Sequence, residues 1–342
     1  MIEVLPVLFH SLLYRSFIIV LGEFLYGSTA QRLCGRCANR FFVRLHRNDA
    51  GILAYCKEFL CDMTENSSAD ATQSRQAGFV RYCLKEMKQK GALTVQKILG
   101  YMRKAIQEFD LIQDGDLIAV GVSGGKDSLV LLQGLAMLRR FIGIDYELVA
   151  ITLDPQFGEE PGDFSEIAAM CKDLGVPYVV LPTDIGKIVF EIRQEASPCS
   201  LCARMRRGAL HDAAVANGCN KIALGHHFND AVETFVMNLF IEGRIGCFSP
   251  KSYLSRKKIT LIRPLVFAPE REVRRAAVKT HLAVQKSKCP ADGYTMRQKT
   301  KEFLAQMEHE SKGFTDRLFG AMRRSNIDGW GGVNWVPRER ED

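Results

Sequence analysis

The sequence predicts an α/β protein with a doubly wound parallel sheet and a helical C-terminal part. Three observations carry this. From about residue 91 to about residue 280, short apolar β-rich runs alternate with longer amphipathic ones. The short runs are apolar throughout, as strands covered on both faces are. The first of them also runs straight into a glycine-rich turn that opens a helix. A chain of 342 residues, 47% hydrophobic and 25% charged, can bury one substantial core with smaller attachments, which excludes collagen, coiled coil and wholesale disorder.

The elements follow in order. Val4 to Tyr26 is apolar but interrupted by His10, Arg15 and Glu23, and a mid-span arginine costs several kcal/mol on insertion, so a soluble cytoplasmic protein without stable membrane association is expected. Asp62 to Gln76 is polar and nearly free of large apolar groups, as linkers are, which sets residues 1–78 apart as an atypical extension, disordered or a mis-assigned start. The main domain is then 79–290 and a helical segment with a tail is 291–342. Within the main domain the pattern predicts a helix over 91–109, strand 117–122, a helix to about Arg139, and strand 147–154. A helix over 163–174, strand 178–184, a helix over 200–217, strand 221–227 and a helix from Asn229 to Ile241 come next. Strand 259–267 and a helix from near Glu270 close the domain, and the tail from Gly329 is expected to fray.

Strand 117–122 leads into Ser123, Gly124, Gly125, Lys126, Asp127 and Ser128, followed by an apolar helix. Glycines let the backbone approach an anion without a Cβ in the way, and N–H groups opening the helix point at it with the helix dipole behind them. Ser123 and Ser128 add hydroxyls, Lys126 adds charge, and Asp127 can carry Mg²⁺ or orient the loop. The string lacks the four-residue spacer of the Walker loop and is not GxGxxG. In an open α/β sheet the ligand lies beyond the carboxyl ends of the strands, which places Thr152, Leu153, Asp154, Gly225, His226 and His227 beside this loop. There Gly225 is expected to admit adenosine, and Asp230 opens the next helix.

SGGKDS, with strand before and helix after, resembles the SGGxDS signature of the N-type ATP pyrophosphatase (PP-loop) family. The resemblance implies an adenine-nucleotide alpha-hydrolase (HUP-like) fold, binding of the ATP pyrophosphate, and cleavage between the α and β phosphates. LGHHFNDAVET resembles the LGHxxDD-type motif of PP-loop tRNA-modifying enzymes, whose glycine contacts nucleotide and whose aspartate is catalytic. Asp230 takes the second aspartate's place, while Asn229 replaces the first.

Eleven cysteines in a chain without a secretory signal point to metal ligands or nucleophiles rather than disulfides. Cys199 and Cys202 stand three apart at a helix opening with arginines nearby, which favours thiolate. Cys289 is a third candidate, whereas Cys219 and Cys247 read as packing thiols. Three thiolates around four irons leave one iron open, where sulfur can be held for delivery. A disulfide-exchange CxxC or half of a zinc site are the alternatives for this pair.

With PCSLCARMRRG, IRPL and Cys289 in order, residues 82–323 closely resemble the tRNA 2-thiocytidine synthetase family. That resemblance implies a [4Fe-4S] cluster on Cys199, Cys202 and Cys289. A second cysteine usual in the family's third-ligand string is replaced here by Asp292 and its neighbours. Cys34, Cys37, Cys56 and Cys61 resemble a zinc ribbon, but their second pair is spaced by four residues without a loop glycine, which disfavours zinc.

The implied function is adenylation of C2 of an anticodon-loop cytidine, position 32 by resemblance, and replacement of its oxygen by sulfur. Lys126 and the loop would stabilise phosphate charge, and Asp230 is the candidate acid/base. A net charge of +7 suits a polyanion, and Arg204, Arg206, Arg207, Arg244 and Arg263 head the basic residues expected to meet tRNA phosphates. A sulfur donor such as a cysteine desulfurase is an implied partner, and a homodimer is open to the chain. The competing readings are a tRNA uridine thiolase, a lysidine synthetase-like enzyme without a cluster, and a cluster- or zinc-containing RNA-binding module.

Overall fold

In the computed structural model the described residues are 94–157, 162–193, 198–285, 289 and 296–336. All belong to the second of two compact units, Met87–Asp342. The four N-terminal cysteines, the apolar run 4–26, the polar stretch 62–76 and the boundary at 78 lie outside the described residues. No helix among those described is long and apolar enough to cross a membrane.

Helix α1 covers 94–109. There follow β1 (Asp116–Gly121), α2 (Lys126–Leu138), β2 (Tyr146–Asp154), α3 (Ser165–Leu174), β3 (Tyr178–Pro182), a π-helical turn at Lys187–Arg193 and α4 (Pro198–Ala216). Then come β4 (Lys221–Ala223), α5 (Phe228–Phe240), β5 (Lys251–Leu254), β6 (Ile259–Ile262), α6 (Glu270–Lys279), α7 (Met296–Glu310) and α8 (Phe314–Arg324). The six strands run in the order β3-β2-β1-β4-β6-β5. All neighbours are parallel except the edge strand β5, which pairs antiparallel with β6.

The period of two along β1 explains the double winding. Ile118 and Val120 point into a core shared with α1, α2, α5 and α6, while Ala119 points to the other face. There it meets Val149, Ile151, Ile222, Ile259 and Leu261 under Ala213 and Ala214 of α4. Helix α2 is covered on nearly every side, with Leu129, Val130, Leu131, Leu132 and Leu135 buried. An all-round apolar helix can sit only in the middle of the molecule. Gly175 closes α3 in the left-handed region at φ 64°, a conformation that a Cβ penalises.

Several expected elements are shorter than the apolar runs that suggest them. The run 259–267 leaves the sheet after Ile262, because Pro264 has no N–H for a ladder and Arg263 to Val266 close a turn, with the Val266 N–H on the Arg263 carbonyl at 3.3 Å. Likewise 221–227 pairs only to Ala223, and residues 224–227 lead from the carboxyl end of β4 into α5. Strand β5 and the π-helical turn are not foreshadowed in the sequence pattern; KSYL is short, half polar and lies at an edge. The tail also differs from expectation. Trp330 is fully buried among Phe109, Phe248 and Phe319 and donates its indole N–H to the Phe248 carbonyl at 2.8 Å.

Candidate active site

The loop between β1 and α2 lies at the carboxyl edge of the sheet and is held by its own serines. The Ser128 hydroxyl donates to the Gly125 carbonyl at 2.9 Å and accepts from the Ser123 N–H at 3.2 Å. The Ser123 hydroxyl accepts from the Gly125 N–H at 3.4 Å. Gly124 adopts φ 79°, and a Cβ there would come within 2.7 Å of the Gln285 amide oxygen, so glycine is required twice over. The Gln285 N–H donates to the Gly124 carbonyl at 3.0 Å, tying the chain beyond α6 to the loop.

The neighbouring strand ends are committed differently from expectation. Thr152 is buried and its hydroxyl donates to the Val122 carbonyl at 2.8 Å while accepting from Tyr178, so it joins strands rather than facing the crevice. Leu153 is half-buried beside it. Asp154 is buried and accepts from the N–H groups of Gln156 and Gly162. Gly225 faces the first turn of α2, where a Cβ would stand 3.0 Å from the Asp127 carbonyl carbon and 3.1 Å from the Ser128 nitrogen. The close approach there is thus made by the protein's own backbone, which seats the loop.

Helix α5 begins with a reciprocal cap. The His227 N–H donates to Asp230 Oδ2 at 2.9 Å, and His227 Nδ1 accepts from the Asp230 N–H at 3.4 Å. That leaves His227 Nε2 aimed at Asp127 Oδ1, 3.6 Å away. Asn229 serves a different helix, because its side-chain oxygen accepts from the Glu270 N–H at 2.9 Å and so supports the start of α6.

Around this cap the charged groups close a ring. Lys126 lies 3.0 Å from Asp127 and 3.1 Å from Glu270. Asp230 Oδ1 lies 3.1 Å from Arg297, which also reaches Glu233 at 3.2 Å. Lys301 sits 3.7 Å from both Glu233 and Glu270, which completes the circuit back to Lys126. Burial works to lower the Lys126 ammonium, but Asp127 and Glu270 outweigh it and hold its pKa above the ordinary lysine value. Burial pushes the Glu270 carboxyl up, and Lys126, Lys301 and His227 overcome this to keep it near 2. Burial pushes Glu233 up to about 7, since Lys301 and Arg297 are offset by Asp230 and Glu270. Sequence reasoning passes over Glu233, Glu270, Arg297 and Lys301. Glu233 lies within the LGHHFNDAVET string, but nothing local marks Arg297.

Asp127 Oδ1 is buried and has no hydrogen-bond partner, one of a few such atoms among the described residues. A carboxylate oxygen left in that condition beside a phosphate loop fits a cation.

The thiols of Cys199, Cys202 and Cys289 share one electrostatic neighbourhood. Burial raises the Cys202 thiol, Arg206 opposes this, and the charges of Cys289 and Cys199 add to the rise. Cys199 is exposed and Cys202 buried at the opening of α4, with Cys289 half-buried. No group of three His, Cys, Asp or Glu side chains among the described residues is gathered tightly enough for a single ion. A four-iron cube is larger than one ion, so thiols surrounding it need not converge. Cys219 is buried against the α4 face of the sheet, and burial drives Cys247 up to about 12, as packing thiols behave.

The expected RNA-contacting arginines separate into two kinds. Arg204 and Arg207 are exposed on α4 and Arg206 is half-exposed, while Arg244 is exposed with Glu242 at 3.3 Å. Arg263 is 7% exposed, lies over the Phe248 ring and donates to the Ser249 carbonyl, so it is turned inward. Burial lowers it to about 10.

Residues 96–298 match the family model described as a PP-loop domain. Over 231 residues the chain is 39% identical to a tRNA-cytidine(32) 2-sulfurtransferase of Geobacter sulfurreducens, covering 66% of this chain and 89% of that protein. A protein of the same name from Ralstonia pickettii is 36% identical over 230 residues, 66% of this chain and 72% of that one. Among solved structures, the U34-tRNA thiolase NcsA of Methanococcus maripaludis with its [4Fe-4S] cluster shares the fold, with a TM-score of 0.56 at 24% identity over 69% of this chain and 79% of that one.

Proposed function

Because the chain belongs to the PP-loop domain family and, within it, to the tRNA-cytidine(32) 2-sulfurtransferases, we propose that it thiolates a cytidine of the tRNA anticodon loop in the cytoplasm. It is an ATP-dependent tRNA sulfurtransferase. The observation that carries the site assignment is the juxtaposition of the phosphate loop with the His227–Asp230 cap, which brings phosphate donors and a carboxylate to one crevice.

The ATP phosphates sit over the loop 123–128 and the amino terminus of α2, with the Ser123 and Ser128 hydroxyls and the Ser123 and Gly125 amides exchanging their bonds within the loop for phosphate oxygens. Lys126 leaves Glu270 for phosphate oxygens and stabilises the charge that develops on them. Asp127 Oδ1 accounts for Mg²⁺, and Thr152, Leu153 and Gly225 shape the crevice from behind. The cytidine C2 carbonyl oxygen attacks the α phosphorus, the α–β bond breaks and pyrophosphate leaves. Sulfur at the sulfide level then adds to C2 and AMP departs with the former carbonyl oxygen, with Asp230 as the acid/base.

Cys199, Cys202 and Cys289 would hold a [4Fe-4S] cluster, which when bound supplies the sulfur-holding position at its open iron. Arg204, Arg206, Arg207 and Arg244 meet tRNA phosphates, and a cysteine desulfurase is the class of sulfur donor, its persulfide sulfur being taken to sulfide by a two-electron thiol reductant. Arg263 supports the crevice wall in this reading.

Nucleoside mass spectrometry of tRNA from a deletion strain tests the assignment: 2-thiocytidine vanishes and returns on complementation. Loss of a thiouridine with 2-thiocytidine intact would move the target to uridine. With purified enzyme the products are AMP and pyrophosphate, and each of Cys199→Ser, Cys202→Ser and Cys289→Ser loses iron and labile sulfide while Cys219→Ser keeps them.

A further inference from the structure

The ring of charges contains a cation that nothing in the proposed chemistry uses. Arg297 is the second residue of α7, and its guanidinium contacts three side chains at once: Asp230 Oδ1 at 3.1 Å, Glu233 Oε2 at 3.2 Å and the Thr234 hydroxyl at 3.2 Å. All three acceptors lie on the first two turns of α5. Asp230 Oδ2 is already held by the His227 N–H, so Arg297 fixes the one oxygen that would otherwise be free to turn. Nη1 meets both carboxylates while Nη2 reaches the Thr234 hydroxyl, and the planar guanidinium fixes these directions relative to one another, which an ammonium on a flexible stem does not.

Helix α7 bears a second cation on the same face, four residues along. Lys301 bridges Glu233 to Glu270, and Glu270 in turn holds Lys126 at the loop. Four carboxylates, Asp127, Asp230, Glu233 and Glu270, therefore crowd one crevice, and the two central ones share α7 as their source of positive charge. Taking Asp230 as the acid/base of the proposed reaction, we propose that Arg297 is a positioning residue: it aims the Asp230 carboxylate and offsets the charge of its acidic neighbours. The contact also ties the helix that follows Cys289 to the crevice.

The groups facing Asp230 are His226, His227 and Glu233 from its own segment and Arg297 from α7, with Lys301 and Glu270 reached across Glu233 and Asp127 of α2 across His227. Removing Arg297 takes away a positive charge that lowers Glu233 and leaves the carboxylates crowded, so the cluster as a whole takes up a proton more readily.

The test is kcat for thiolation of unmodified tRNA by cluster-loaded enzyme, measured as a function of pH. Arg297→Ala is expected to lower kcat by about 10- to 100-fold, with the KM for ATP unchanged, and to move the acid limb of the profile up by about one unit. Arg297→Lys should restore the limb but only part of kcat, since the charge returns without the fork. Should Arg297→Ala melt below the assay temperature, Arg297→Gln, which keeps hydrogen bonds without charge, reads the same limb. A folded variant whose acid limb stays at the wild-type position overturns the inference, as does Arg297→Lys matching Arg297→Ala at every pH. Asp230→Asn run in parallel separates the two claims. If it retains the wild-type rate and profile, the assignment of Asp230 itself fails. If it is inactive while Arg297→Ala keeps the wild-type limb, only the role of Arg297 does.

Discussion

Strands β1 and β4 run side by side, and their two ends treat buried charge in opposite ways. At the amino end Lys221 and Asp116 meet at 2.6 Å, both about 5% exposed. Asp116 also accepts from the Gln113 N–H and the Asn220 amide, and Lys221 donates to the Leu111 carbonyl, so the pair's polar atoms are all partnered. At the carboxyl end Lys126, Asp127 and Glu270 keep 20–31% of their side chains exposed, and Asp127 Oδ1, His226 Nδ1 and Arg263 Nε are three of the four buried side-chain atoms without a hydrogen-bond partner among the described residues, the fourth being Arg323 Nε. Since buried polar groups in folded proteins are nearly all satisfied, a group of orphans at one end of the sheet marks where a ligand completes the structure. The amino end is finished by folding, and the carboxyl end by binding.

The sharpest way to break this contrast is to remove the lysine at each end. Lys221→Met leaves Asp116 buried without its cation, which should cost about 3–5 kcal/mol of stability in urea unfolding. Lys126→Ala should instead slow pyrophosphate release by about 10²- to 10³-fold, equivalent to about 2.7–4 kcal/mol of lost phosphate-charge stabilisation. Its cost in folding stability should stay within about 1 kcal/mol, because partly exposed pairs contribute little. Equal losses of stability in the two variants would erase the distinction between the ends.

The same contrast explains what is legible in the sequence. The phosphate loop is a contiguous string whose function lies in its backbone, so SGGKDS between an apolar strand and an apolar helix can be read directly. The double winding follows from continuous apolar runs for the same reason. The ring around the crevice draws on helices that lie far apart in the chain, and an arginine beside a methionine at the start of α7 looks like any solvated helix face. Arg263 misleads in the opposite direction, since a charge within an apolar run reads as a surface cation, whereas the aromatic ring of Phe248 and the Ser249 carbonyl accommodate it inside. Trp330 reads as part of a fraying tail because its partners, Phe109 and Phe248, lie far away in the chain.

Gly225 gives a smaller effect that sharpens the claim about the binding end. Because a Cβ there would press on the backbone of Asp127 and Ser128, Gly225→Ala should cost about 1–3 kcal/mol as the loop shifts to make room. The shift acts on the phosphate cradle, so the KM for ATP rises together with the loss of stability. If only stability changes, the loop tolerates displacement and its seat on Gly225 is not what shapes the phosphate site.

The smallest expected effect is a slope. Glu233 is 3% exposed, and its carboxyl is raised to about 7 from an ordinary 4.5. Between those values the folded protein holds a proton that the unfolded chain has released, so stability falls as pH rises from about 4.5 to about 7 and stays lower above it. Glu270 has the opposite sign: held near 2, it contributes stability that is complete above 4.5 and is lost as the pH falls towards 2. The two windows meet near 4.5 without overlapping, but His226, lowered by burial from 6.5 to about 4, contributes with the opposite sign between those values, so melting curves between about pH 5 and 7 read Glu233 as the difference between a variant and the wild type. Glu233→Gln keeps an oxygen for Arg297 and removes the titration, so the melting temperature of the variant relative to the wild type should rise as the pH goes from about 5 to about 7. Above about pH 7 the variant should melt no lower than the wild type. A difference from the wild type that stays constant across that range would mean that the proton taken up on folding sits elsewhere, and that Glu233 is ionised between Arg297 and Lys301 at every pH where the protein is folded.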